Sequence, residues 1–181
     1  MAPESIDFLR QHLPYRDCAG VALFNRQGLV FLGRRKAGED PEMSPESGAP
    51  WQMPQGGIDK GETPLEAARR ELYEETGVCS VELLAEAPGW ICYDLPDDLL
   101  GSALRGKYRG QRQRWFAFLF TGAESEIDVA APGGGKFHAE FDGWRWEELA
   151  RAPELIVAFK REAYRQVATA FAAVPERLRH G

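Results

Sequence analysis

Between Thr63 and Gly77 the chain carries the start and the stop of a helix in its own residues. Thr63 at the N-cap, Pro64 at the first helical position and Glu66 at the third make a capping box, with a proline where its missing N–H costs nothing, so the spacing predicts a helix beginning near Pro64. Leu65, Ala68, Leu72 and Thr76 recur every three to four residues and supply a face for a core, and Gly77 is the natural left-handed stop. Glu71, Glu74 and Glu75 then fall at i, i+3 and i+4, and their carboxylates crowd one side of the last turn. That placement is unfavourable by itself, because like charges at this spacing repel and a helix C-terminus is the negative end of the macrodipole. A hard divalent cation such as Mg²⁺ or Mn²⁺ prefers oxygen ligands and keeps waters and phosphates in its shell, and it reverses the sign of the problem. The competing reading of Glu71 to Glu75, taken alone, is a solvated acidic helix face. The glycine-rich entry at Gly56-Gly57 and the capped start favour the cation.

The chain has 181 residues, 44% hydrophobic and 28% charged, enough for one good core and too few for two ordinary domains. A single domain over residues 1–181, with its core over about 15–172, is expected. No apolar run approaches the length of a membrane span, and Met1 to Arg16 lacks the basic start and apolar stretch of a signal peptide, so a cytoplasmic protein with no membrane partner is expected. Cys18, Cys79 and Cys92 are odd in number and lack C-x-x-C spacing, which favours buried free thiols over disulfides or zinc. His12, His138 and His180 are scattered. A net charge of −6 excludes bulk electrostatic attraction to DNA or RNA, so a polyanionic substrate must be gripped locally. Arg34, Arg35 and Lys36 form one basic cluster, and Arg105, Lys107, Arg109, Arg112 and Arg114 form another. Each is either a solvated loop or strand end or a phosphate site.

Ala19 to Asn25 and Leu29 to Gly33 are β-prone runs around Arg26-Gln27-Gly28, which reads as a hairpin. Lys36 to Pro50 reads as a loop, Val81 to Glu86 and Trp90 to Tyr93 as short strands, and Asp94 to Gly110 as an irregular excursion. Arg114 to Phe120 reads as a buried strand, Ala130 to Ala139 as a second loop and Phe141 to Trp146 as a further strand. From Pro153, the positions Ile156, Phe159, Ala163, Val167, Ala170 and Val174 predict one long amphipathic closing helix. Strands with embedded helices indicate an α/β chain with a mixed sheet.

Gly56 to Val78 also meets every fixed position of the Nudix box, G-x5-E-x7-R-E-U-x-E-E-x-G-U with U apolar, at Gly56, Glu62, Arg70, Glu71, Leu72, Glu74, Glu75, Gly77 and Val78. The stretch resembles the Nudix hydrolases, which implies the Nudix α/β/α sandwich and a metal-dependent enzyme that cuts a nucleoside diphosphate linked to another group. The resemblance implies metal ligation by Glu71, Glu74, Glu75 and the Gly56 carbonyl, and a structural ion pair of Glu62 with Arg70. The segments Trp51 to Gly57, Gly110 to Phe116, Glu140 to Trp146 and Phe159-Lys160-Arg161 are similar to bacterial RNA pyrophosphohydrolases and their dinucleoside polyphosphate hydrolase relatives. That similarity runs from about Tyr15 to Phe171. It implies 5′-triphosphorylated RNA or a dinucleoside polyphosphate as substrate, and an additional ligand or general base at Glu140. It also implies Arg16 with Phe159 as a base clamp, Arg35 and Lys160 as phosphate contacts, and Tyr93 in the pocket wall. Phe159 and Tyr93 are equally readable as core residues, and Glu75 and Glu140 both remain candidates for the general base. Asp17 and Cys18 depart from the pattern, standing where those relatives usually carry Pro and another residue. A nucleotide-sensing module without turnover is a third reading, against which the intact set of glutamates counts.

Overall fold

The computed structural model describes residues 5–36 and 51–181. From residue 37 onward, the loop expected over Lys36 to Pro50 lies outside the described residues. The described strands are β1 (Tyr15–Phe24), β2 (Val30–Arg35), β3 (Trp51–Gln52), β4 (Gln55–Gly57), β5 (Val81–Glu86), β6 (Ile91–Asp94), β7 (Gly110–Phe120) and β8 (Phe141–Glu147). The helices are α1 (Ile6–His12), α2 (Pro64–Thr76), the single turns α3 (Pro132–Gly135) and α4 (Ala152–Leu155), then α5 (Arg161–Ala170) and α6 (Val174–His180). All eight strands join one mixed sheet in the order β3-β2-β1-β7-β5, with β4, β6 and β8 added on β1, β7 and β2.

At its centre β1 and β7 run parallel, from Tyr15 opposite Gly110 to Phe24 opposite Leu119. Alternation along β1 explains why the sheet is covered on both sides. Ala19, Val21 and Leu23 meet Ala67, Ala68 and Leu72 of α2 in one core. Ala22 and Phe24 share the other core with Ala163, Tyr164 and Val167 of α5. Burying a leucine such as Leu72 contributes roughly 1.5–3 kcal/mol, so the apolar stripe holds α2 in place more firmly than its caps do. This is the expected α/β/α sandwich.

The hairpin at Arg26-Gln27-Gly28 is present, with Phe24 opposite Val30. The Asn25 side chain accepts from the Gln27 and Leu29 N–H groups at 3.0 Å. Four expectations need correction. First, β7 begins at Gly110 rather than Arg114. Its polar start is stabilised internally, for Gln113 donates to Gln111 at 2.9 Å and accepts from the Trp115 indole at 3.0 Å. Second, the closing helix is broken. Ile156 is extended at φ −87°, ψ 159° and, like Val157, is buried, while Arg161 donates to the Pro153 carbonyl at 3.1 Å across the gap. The expected stripe is otherwise kept, with Ile156, Ala163, Val167 and Val174 buried, but Ala170 is exposed and Phe171 is buried in its place. Third, of the three thiols only Cys18 is buried; Cys79 and Cys92 are exposed, Cys92 on the outward face of β6. Burial pushes the Cys18 thiol up to about 12. Fourth, the loop over Ala130 to Ala139 holds the turn α3, whose Gly133 and Gly134 are left-handed.

The excursion between β6 and β7 is closed at its base, where the Leu95 N–H donates to the Arg109 carbonyl at 2.8 Å. Within it Leu104 and Arg105 adopt φ 52° and 59°, a conformation that costs a side-chain-bearing residue roughly 1–2 kcal/mol. Helix α1, not anticipated from sequence, packs beside this segment. Arg10 donates to Asp97 at 2.5 Å and to the Leu95 carbonyl at 3.0 Å, and Arg109 donates back to the Arg10 carbonyl at 2.8 Å.

Candidate active site

Helix α2 starts and stops as its sequence dictates. The Thr63 hydroxyl accepts from the Glu66 N–H at 3.3 Å and the Glu66 carboxylate from the Thr63 N–H at 2.8 Å, while Gly77 ends the helix at φ 75°. Its last turn therefore stands over β4, which hydrogen-bonds to β1 with Gly56 opposite Ala19. The Glu71 carboxyl lies directly against Gly56, where a Cβ would come within 2.1 Å of its carboxyl carbon. Only glycine leaves that space.

Arg70 organises the acidic groups around it. It grips Glu62 with two bonds, Nε to Oε1 at 2.8 Å and Nη2 to Oε2 at 2.9 Å. It also donates to Glu71 at 2.7 Å, to Glu74 at 3.4 Å and to the Gly57 carbonyl at 2.8 Å. The Glu62–Arg70 pair expected from the resemblance is thus formed, and this bond holds the Glu62 carboxyl below its ordinary range.

Glu75 points the other way, into the protein. It is 2% exposed; Oε1 accepts from the Gln55 N–H at 3.4 Å, and Oε2 has no hydrogen-bond partner among the described residues. Burial, with the nearby charges of Glu140 and Glu71, pushes its pKa well above the ordinary carboxylate value. Glu71 is also raised, first by burial, with Arg70 opposing and Glu74 and Glu140 adding repulsion. Glu140, just before β8, is held by Arg35, which donates to it at 2.9 Å.

Among the described residues no three carboxylates, imidazoles or thiols converge into a finished cation cage, since Arg70 draws Glu71 and Glu74 to itself. The donor set nonetheless fits a hard cation. An orphaned buried oxygen on Glu75, a glycine cradle under Glu71 and mutually repelling carboxyls are what a divalent ion would relieve.

Over this face lies a cleft of about 360 Å³. Its lining includes Gly56 and the carboxylates of Glu71, Glu74 and Glu140, together with the cations Arg16, Arg35 and Lys160. Arg16 extends across Gly57, where a Cβ would meet its guanidinium at 2.5 Å. Phe159 is not in this wall among the described residues. Its ring packs 5.7 Å from Tyr93, and Tyr93 is 6% exposed. Arg16 and Phe159 are therefore not brought together as two walls of this cleft. The basic clusters also divide. Arg34 pairs with Asp142 at 2.6 Å, and Arg109 with Asp94 at 2.7 Å. Arg112 pairs with Asp17, Arg114 with Glu86, and both guanidiniums lie over the Trp90 ring. Gln55 and Gln111 line the cleft without having been singled out from sequence. The parallel register, Arg16 opposite Gln111, is the signal that finds the latter.

No helix among the described residues is long and apolar enough to cross a membrane. Two solved structures share the fold: a C. elegans Ap4A hydrolase, 17% identical with a TM-score of 0.58, covering 87% of this chain and 98% of that one, and the E. coli dihydroneopterin triphosphate pyrophosphohydrolase, 20% identical with a TM-score of 0.59, covering 84% and 96%. Curated relatives are closer. An RNA pyrophosphohydrolase of Rhizobium meliloti is 60% identical over 163 residues, 89% of this chain and 95% of the relative. One of Azorhizobium caulinodans is 56% identical over 161 residues, 89% of this chain and 94% of the relative. Residues 14–167 match the NUDIX domain. With the capped helix, the glycine cradle and the Glu62–Arg70 clasp all inside that match, this chain belongs to the Nudix family.

Proposed function

We propose that this chain removes pyrophosphate from the 5′-triphosphate end of RNA, leaving a 5′-monophosphate, with Mg²⁺ or Mn²⁺ as cofactor. The observation that carries the reading is the 54–60% identity, over about nine-tenths of the chain, to RNA pyrophosphohydrolases, together with an unbroken set of glutamates at the end of α2.

Glu71, Glu74, Glu75, Glu140 and the Gly56 carbonyl are the groups that would hold the metal. When bound, a divalent cation supplies neutralisation of phosphate charge and an acidified water. The remaining work is positioning and charge. Arg35 and Lys160, which line the cleft, offset the polyphosphate charge, and Arg16 orients it over Gly57. Glu140 accepts the proton of the attacking water, because its side chain is 40% exposed beside the cleft whereas Glu75 is buried beneath it. Arg70 and Glu62 position the ligands without touching substrate.

The test is hydrolysis by purified protein, with Mg²⁺ or Mn²⁺, of triphosphate-ended RNA beside diadenosine tetraphosphate. Release of pyrophosphate from RNA at the higher kcat/KM is expected. Faster cleavage of diadenosine tetraphosphate, with little turnover of RNA, replaces this reading with that of a dinucleoside polyphosphate hydrolase, and binding without turnover of either would mark a nucleotide sensor.

A further inference from the structure

Gln111, Gln113 and Trp115 stand at alternate positions of β7 and so share one of its faces. All three are buried, at 2%, 3% and 0% exposure. The Trp115 ring is fixed from two directions. It lies against Gly20 of β1, where a Cβ would come within 2.6 Å of the ring, and it meets Tyr164 of α5 edge-on at 5.8 Å.

That fixed ring starts a chain of hydrogen bonds whose direction is settled by the chemistry of the groups. An indole nitrogen only donates, so the Gln113 atom that meets it at 3.0 Å is the amide oxygen. The Gln113 nitrogen is thereby turned away with both of its hydrogens. It donates one to Gln111 Oε1 at 2.9 Å and the other to Gln55 Oε1 at 3.1 Å. Turning Gln113 over would set N–H against N–H in the core and leave a buried donor unsatisfied.

The consequence reaches the catalytic cleft, because Gln55 and Gln111 both line it. Their amide oxygens are engaged by Gln113, and neither Nε2 forms a hydrogen bond to another of the described residues. What remains for a ligand is a pair of amide NH₂ groups and no amide oxygen.

We propose that Trp115 and Gln113, neither of which lines the cleft, are positioning residues for its ligand: they lock the Gln55 and Gln111 amides so that this part of the wall offers donors alone. The ligand that suits such a wall carries acceptors alone. Ionised phosphate oxygens meet that requirement, and hydrogen bonds to them are the stronger for their charge. The assignment rests on the polyphosphate reading of the cleft given above.

The test is a double-mutant cycle. Trp115→Phe removes the indole donor and keeps an aromatic ring, while Gln55→Met/Gln111→Met removes the amides through which the indole acts. Binding of a nucleoside α,β-methylene triphosphate, which resists cleavage at that linkage, is measured with Mg²⁺ by titration calorimetry, and the melting temperature of each variant is recorded. Trp115→Phe is expected to weaken binding about tenfold in the otherwise wild-type chain, where the amides are now free to turn over. In the Gln55→Met/Gln111→Met background the same change should cost less than about twofold. Gln113→Met, which leaves the indole in place, should behave in the same way, and it decides the matter if Trp115→Phe fails to fold. Equal losses in both backgrounds, or no loss in either, overturn the relay, and RNA turnover by the wild type then still upholds the activity. Binding of the analogue by a wild type that hydrolyses no RNA overturns the reading of activity, and the cycle still decides the relay. A wild type that does not bind the analogue removes polyphosphate as the ligand and overturns the relay with it.

Discussion

Glu75 is the residue on which stability and activity pull apart. Buried and repelled by Glu140 and Glu71, it has a folded pKa raised above the unfolded value. The folded protein therefore keeps a proton that the unfolded chain has lost, and in the absence of metal the stability present below the ordinary glutamate pKa is progressively lost as pH rises through the raised one. Glu75→Gln cannot lose that proton. In chelator, its melting temperature relative to wild type should climb steadily from about pH 4.5 upward; a constant difference across pH counts against the buried charge as the cause. With saturating Mg²⁺ or Mn²⁺ the order of fitness reverses. Both Glu74→Gln and Glu75→Gln should lower turnover by orders of magnitude while the helix persists, because glutamine has similar helix propensity, and near-normal hydrolysis by both variants excludes them as ligands. Arg70 answers to a different measurement. Its fork serves Glu62, Glu71, Glu74 and the Gly57 carbonyl at once, and lysine cannot reproduce that geometry. Arg70→Lys should destabilise the fold by about 1–3 kcal/mol, at the low end of a broken buried pair since Arg70 is 27% exposed, and should weaken metal binding by titration calorimetry.

At the level of elements, α2 and β4 make the site as a pair, and the point of contact is Gly56. Gly56→Ala would drive a methyl into the Glu71 carboxyl. That carboxyl ends a flexible chain, so the domain should still fold, with a melting point within a few degrees of wild type, while kcat falls at least about a hundredfold through displaced ligands. Full activity in this variant would remove the cradle from the argument. Helix α2 was legible in the sequence because every cue for it is local: cap, proline, apolar spacing and terminal glycine lie within fifteen or so residues of one another. The clasp of Glu62 by Arg70 was reached through resemblance. What sequence obscured depends on distant partners. The start of β7 reads as polar, and only its glutamines bonding to each other and to Trp115 reveal a buried strand. The closing helix reads as continuous since Ile156 and Val157 fit a helical stripe as well as they fit the extended link that buries them. Phe159 kept the right periodicity, but with that link before it its ring turned to Tyr93.

On the scale of the whole molecule, the excess of negative charge and the cleft cations Arg16, Arg35 and Lys160 act against each other at different ranges. Repulsion from a net charge of −6 is screened by salt, as is attraction to the cleft cations, so moderate salt should weaken RNA binding less steeply than for a basic nucleic-acid-binding domain. The parallel seam at the centre has another consequence, for the birth of the protein. Asp17 and Arg112 face each other across β1 and β7 although they are 95 positions apart in sequence, and β4, which carries Gly56, hangs on the same β1. Long loops must close before such contacts reward the chain, which places them late in folding. A fragment ending before Gly110 contains every glutamate of α2, yet it should show no cooperative thermal transition by circular dichroism and no hydrolysis. During synthesis, then, the carboxylates of α2 leave the ribosome well ahead of β7, and an incomplete copy of the chain carries the acidic turn of the site without the central strand that completes the sheet behind it.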